Sequence, residues 1–113
     1  MPEILYKLKE MDIFKIISAA GDSRGSAFEA LRLARKGKFE EAEAKMQEAK
    51  EKSIDAHDVQ TKLITGEING DKTETSLLMV HAQDHLMTSI LARDLIEEMI
   101  GMLKEQSEAK TLQ

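Results

Sequence analysis

Leu77-Leu78-Met79-Val80-His81-Ala82-Gln83-Asp84-His85-Leu86-Met87-Thr88 reads as the front of a long amphipathic helix. At 100° per residue, with Asp84 set at zero, Leu77, Val80, Met87, Leu91, Leu95 and Met102 all fall within about 60° of it. Asp84 therefore sits in the middle of the most apolar stripe of the chain. An isolated ionised carboxylate in apolar surroundings is costly, so this one is expected to be protonated, paired or metal-bound. Arg93, the nearest basic residue of the helix, lies about 180° away. His81 lies about 60° round from Asp84 and His85 about 100° round, on the flank of the same stripe. Leu78, Ala82, Leu86, Ile90 and Ile96 extend the apolar surface on the other side, leaving a wet sector of Gln83, Arg93, Asp94, Glu97, Glu98 and Glu105. That apolar coverage exceeds what a small monomeric bundle needs and predicts a homo-oligomer with this helix at its interface.

The punctuation on either side predicts two further helices. The first runs from Asp12, a plausible N-cap, to Lys36, with Gly37 where a left-handed residue commonly ends a helix. Pro2 to Glu10 form a short extra helix or arm, and Gly21 and Gly25 mark close packing or a bend. The second runs from Phe39 to Ile68 with a seam of Ala42, Met46, Ala49, Ser53, Ala56, Gln60 and Leu63 at alternating steps of four and three. Its many Glu and Lys residues form a solvated face. Asn69-Gly70-Asp71 signals a turn, and Asp71 with Glu74 resembles a capping box that starts the third helix near Thr73, running to Glu105. Residues 106–113 are polar and expected to fray. The expectation is one all-α domain over 1–113, an antiparallel up-down-up three-helix bundle with 1–11 as an N-terminal extension.

Composition narrows the function. The 113 residues carry 16 Lys and Arg against 21 Asp and Glu, a net charge of −5, without a long basic run. That argues against nucleic acid or an anionic membrane as partner. Cysteine is absent, which excludes disulfides, thiolate zinc sites and a cysteine nucleophile and suits a reducing cytoplasm. The longest apolar run, Leu77 to Val80, is far short of the roughly 20 residues of a membrane helix, and Met1-Pro2-Glu3 lacks the order of a secretory signal.

Two chemistries fit His81-Ala82-Gln83-Asp84-His85. Histidines four apart with a carboxylate between them suit a metal, in an H-x-x-D-H order akin to one class of metal-dependent hydrolase, but a further ligand for a catalytic zinc is not evident. A neutral imidazole at the edge of a bundle also suits nucleophilic attack on a phosphoryl group. A third reading, a non-catalytic helical interaction module, needs only the acidic exterior and the seam. His57, beside the second helix's seam, is most simply a boundary residue, and the seven methionines are core filler.

The segment from Leu77 to Thr88 closely resembles the signature of the enzyme IIA component of the lactose/cellobiose family of the bacterial sugar phosphotransferase system. Ala20-Gly21-Asp22-Ser23-Arg24, Lys38-Phe39-Glu40-Glu41-Ala42 and Ala56-His57-Asp58-Val59-Gln60-Thr61 resemble further segments of that family, in order. The resemblance implies a three-helix protomer in a homotrimer in the cytoplasm, with His81 phosphorylated by the phosphocarrier HPr. His81 would pass the group to a cysteine of the IIB component, which phosphorylates sugar entering through IIC. The sugar would be a β-linked disaccharide: cellobiose, by preference, or lactose or chitobiose. Asp84 matches the family's acid at the trimer axis, where three copies hold one divalent cation, given as Mg2+. This agrees with the chemistry, since converging carboxylates repel and a hard divalent ion is their natural counter-charge. His85 is a candidate for orienting phosphate, Gln83 for touching a partner, and Gln60 and His57 for approaching from the second helix or a neighbouring protomer. Lys38 departs from the family's Asp N-cap, and the missing cysteine means that the chain carries no fused IIB.

Overall fold

Two helices end in the same way, each on a glycine in the left-handed region. Gly37 has φ +79°; its N–H donates to the Ala34 carbonyl at 2.9 Å, and the Lys38 N–H reaches the Leu33 carbonyl at 3.0 Å. Gly70, with φ +93°, repeats the pattern: its N–H donates to the Glu67 carbonyl at 3.1 Å and that of Asp71 to the Gly66 carbonyl at 2.8 Å. Both are Schellman turns, in which glycine adopts the positive φ without steric cost while orphan carbonyls are satisfied. They close helices α1 (Pro2–Arg35) and α2 (Phe39–Ile68); the third, α3, is Leu77–Leu112. The computed structural model describes residues 2–71 and 76–112, with side-chain surroundings for 10–71 and 76–111. Among the described residues all regular structure is helical, and no helix is long and apolar enough to cross a membrane.

The boundaries differ from expectation in three places. α1 is one continuous helix from Pro2 rather than an arm followed by a helix from Asp12; proline at the first helical position gives up an N–H that had no partner there anyway. α3 starts at Leu77, not Thr73, because Ser76 caps it: its hydroxyl accepts from the Met79 N–H at 3.1 Å. The capping box expected of Asp71 and Glu74 involves a residue outside those described. At the other end α3 stays helical to Leu112, through the polar stretch expected to fray. Lys38, as anticipated, gives α2 no side-chain cap, while Glu40 and Glu41 in the first turn suit the helix dipole.

Cross-helix bonds fix the direction of packing. Ser23 Oγ donates to the Ala49 carbonyl at 2.7 Å and Lys52 Nζ to Ser26 Oγ at 3.0 Å, while Lys45 meets Glu29 at 3.5 Å. As residue numbers rise on α1 they fall on α2, so the two are antiparallel. α3 antiparallels α2 likewise, through Lys50 to Glu97 at 2.9 Å and Gln60 to Gln83 at 2.6 Å. The result is an up-down-up bundle 68 Å long and 20 Å across.

Two small cores run along it. One joins Ile13, Ile16 and Ala20 to Ala56, Val59, Ala82 and Leu86. The other joins Ala27 and Ala30 to Met46, Ala49 and Ile96. Alanine dominates, which permits close helix approach but buries little side chain. Gly21 and Gly25 do not serve that approach within the chain, since a Cβ at either would meet nothing within 4 Å. Ile16 and Leu86 are the only large aliphatics among the described residues that are wholly buried.

Candidate functional site

The face of α3 that packs inward is the one carrying Ala82, Leu86 and Ile96. They pack against Ile13, Ile16, Ala20, Ala27 and Ala30 of α1 and Met46, Ala49, Ala56 and Val59 of α2. The most apolar stripe therefore faces away from the chain's own core. Leu77, Val80, Met87, Leu91, Leu95 and Met102 are all at least half exposed, from 50% for Leu95 to 87% for Leu77. Asp84, in the middle of that stripe, is exposed too. The burial expected for its carboxylate is thus not imposed by a single chain. Its backbone carbonyl accepts from Thr88 Oγ1 at 2.7 Å, while its carboxylate has no partner among the described residues. The result is a large apolar face with one carboxylate at its centre that the described residues leave uncovered.

His81 is the fifth residue of α3, just beyond the turn that Ser76 caps, and is exposed on the stripe's flank. His85 follows one turn on and is half-buried. The two rings meet edge to face, with centroids 4.5 Å apart and planes at 83°. Nδ1 of His85 is buried without a hydrogen-bond partner. The arrangement offers an open imidazole, His81, held edge to face beside a second imidazole one turn on. Such a pair can carry and orient an anionic group. Among the described residues no cluster of three or more His, Cys, Asp or Glu that could hold a metal ion occurs.

The glutamines stand elsewhere. Gln83 is not wet but half-buried on the side of α3 that faces α2, where its Oε1 accepts from Gln60 Nε2 at 2.6 Å. Gln60 also lies 3.9 Å from the Met87 sulfur, and Gln83 Nε2 lies 3.7 Å from that of Met79. The pair clamps α2 to α3 on the side away from His81. His57 is exposed in an open groove with Ser53, Ile54, Asp58, Ile90 and Arg93, which His81 does not line.

Arg93, like Gln83, departs from its expected place in solvent. The sector assigned to solvent holds it half-buried between α2 and α3. One guanidinium nitrogen donates to Ser53 Oγ, another lies 3.8 Å from Asp94, and Nε is buried without a partner. Ser53, a hydroxyl flanked in its seam by Ala49 and Ala56, was the available signal. Toward the turn, Lys45 and then Lys52 hydrogen-bond Glu48 and hold its carboxyl below the usual range. Lys45 is raised in return, by Glu48 first and Glu29 second.

Known proteins bear on this geometry directly. Residues 11–104 match the family model described as the PTS system, lactose/cellobiose specific IIA subunit. The lichenan-specific phosphotransferase enzyme IIA component of Bacillus subtilis is 46% identical over 101 residues, 89% of this chain and 92% of that protein. Among solved structures, the cellobiose-specific enzyme IIA of Bacillus anthracis superposes with a TM-score of 0.85 at 43% identity, covering 88% of this chain and 91% of that one. The IIA(chitobiose) chain of the IIA(chitobiose)–HPr complex of Escherichia coli gives 0.76 at 42%, covering 87% and 95%. With the family model spanning most of the described helices and the histidine pair inside it, the chain belongs to the lactose/cellobiose-specific IIA family of the sugar phosphotransferase system.

Proposed function

We propose that this chain is a phosphoryl carrier whose nucleophile is His81. The supporting observation is the exposed His81 imidazole paired with His85 on the flank of an unpartnered apolar face. Nε2 of His81 attacks the phosphorus held on HPr, forming an N–P bond as the donor's P–N bond breaks. A cysteine thiolate of IIB then attacks the same phosphorus, forming S–P and releasing the imidazole. Between protein nucleophiles the requirement is position and accessibility rather than a substrate pocket. HPr is the partner in the E. coli chitobiose structure, which supports it as donor here. The relatives named above are specific for lichenan, cellobiose and chitobiose. A β-linked disaccharide fits that range, with cellobiose preferred.

The carrier is a homotrimer assembled through the α3 stripe. Burying six half-exposed apolar side chains contributes about 1 kcal/mol each, which is enough to offset much of the cost of association. Asp84 then meets its symmetry copies in an apolar setting, where an uncompensated set of carboxylates would repel. A single chain gives one carboxylate and does not fit a cation; three copies side by side do, with Asp84 as the protein ligand and Mg2+ as counter-charge.

The test is incubation with enzyme I, HPr and phosphoenolpyruvate followed by intact mass. One acid-labile phosphoryl group per chain is expected, and none in His81→Gln, whose circular dichroism and oligomeric state stay unchanged. Labelling that persists in His81→Gln refutes the assignment.

A further inference from the structure

Once the α3 stripe is given to assembly, two helix faces beside it remain open, and they differ in charge. On α1, the row just past the α3 contact holds Phe14, Phe28, Arg24, Arg32 and Arg35, within about 80° of one another at 100° per residue. Phe14, Phe28, Arg32 and Arg35 are exposed and Arg24 is half-buried. From Phe14 to Arg35 that sector contains no Asp or Glu, in a chain of net charge −5. None of the three arginines pairs with a carboxylate among the described residues.

On α2, the corresponding row past the α3 contact holds Glu40, Glu43, Ile54 and Asp58, all exposed, and runs on to exposed Ile64 and Ile68. Lys50 shares the sector but is tied to Glu97 at 2.9 Å. Glu40 and Glu43 have no partner among the described residues. The antiparallel register set by Ser23 with Ala49, Ser26 with Lys52 and Glu29 with Lys45 puts Arg32 level with Glu43. The same register puts Arg35 level with Glu40 and Phe14 level with Ile64. The helix dipole favours arginine late in α1 and glutamate early in α2. It does not require that they face opposite flanks of α3 and stay unpaired.

Because the two rows lie on opposite flanks, they cannot meet within one protomer. Rotation about an axis along the α3 stripe keeps every residue at its own height and turns the α1 row of one copy toward the α2 row of the next. We infer that the basic, aromatic row of α1 docks on the acidic, aliphatic row of α2 of a second copy. This is a heterologous contact, Arg32 to Glu43 and Phe14 to Ile64, that closes around the ring. It rests on the assembly proposed above and not on phosphoryl transfer.

Sedimentation equilibrium of the full chain tests it. Arg32→Glu weakens association by about two- to five-fold per interface, the range of an exposed ion pair. Arg32→Gln weakens it less, and circular dichroism checks that both variants remain helical. Adding Glu43→Arg to Arg32→Glu restores association. Association that ignores Arg32→Glu, or that the double variant fails to recover, overturns the inference, as does a parent chain that stays monomeric. Intact mass on the same samples keeps the two readings apart. Normal labelling of His81 in a trimer indifferent to the swap removes this interface and leaves the carrier function standing.

Discussion

Leu91→Ala separates the two faces of α3 quantitatively. Leu91 is 58% exposed in the chain, so a little over half of its transfer free energy is still to be gained from a partner. A fully buried leucine is worth about 1.5–3 kcal/mol, which leaves about 1–1.7 kcal/mol per protomer for the interface. Across three copies that becomes about 3–5 kcal/mol, between a hundredfold and several thousandfold in the overall association constant. Leu86, 0% exposed and on the opposite face, is the control. Leu86→Ala costs the fold itself about 2–5 kcal/mol through lost burial and a cavity. Sedimentation equilibrium over a wide concentration range, with thermal unfolding at the dilute end, reads both quantities. The expected result is that Leu91→Ala dissociates at higher concentration than the parent while its dilute-limit unfolding is nearly unchanged. Leu86→Ala should lose stability at every concentration. If Leu91→Ala leaves association untouched while Leu86→Ala behaves as stated, the stripe is not the interface and the proposed trimer is not built on it.

If the proposed trimer and its cation exist, Asp84→Leu should keep the one and lose the other, with the assembly more heat-stable by about 1–4 kcal/mol, because an apolar residue suits the stripe and removes the repulsion. Metal analysis of the purified trimer together with its melting curve checks this, and dissociation of the variant would mean that the ion holds the trimer together. Gly37→Ala forces a Cβ into the left-handed region at φ +79° and should cost about 1–2 kcal/mol in chemical denaturation. Glu48 is held below the usual carboxylate range by Lys45 and Lys52. Its contribution is present above the ordinary carboxylate pKa and is lost as pH falls through the lowered value. The pair is exposed and screened, so Glu48→Gln should flatten the acid limb of an unfolding-versus-pH curve only slightly, and less still in high salt.

Local pattern was enough for the elements themselves. Gly37, Gly70 and the Ala-Met seam from Ala42 to Ala56 mark where helices end and which edge of α2 is covered, because positive φ and helical spacing are properties of neighbouring residues. The excess of apolar surface on α3, and Asp84 at its centre, were equally plain. Which of the two apolar faces of α3 turns inward was not, because both read as apolar at helical spacing. The choice belongs to the tertiary packing: the two cores take in Ala82, Leu86 and Ile96, whereas turning the other face inward would bury the Asp84 carboxylate among apolar side chains without a partner. For the same reason Arg93 and Gln83 could not be placed by periodicity. Ser53 and Gln60, on another helix, draw them out of solvent, and only packing brings those residues together.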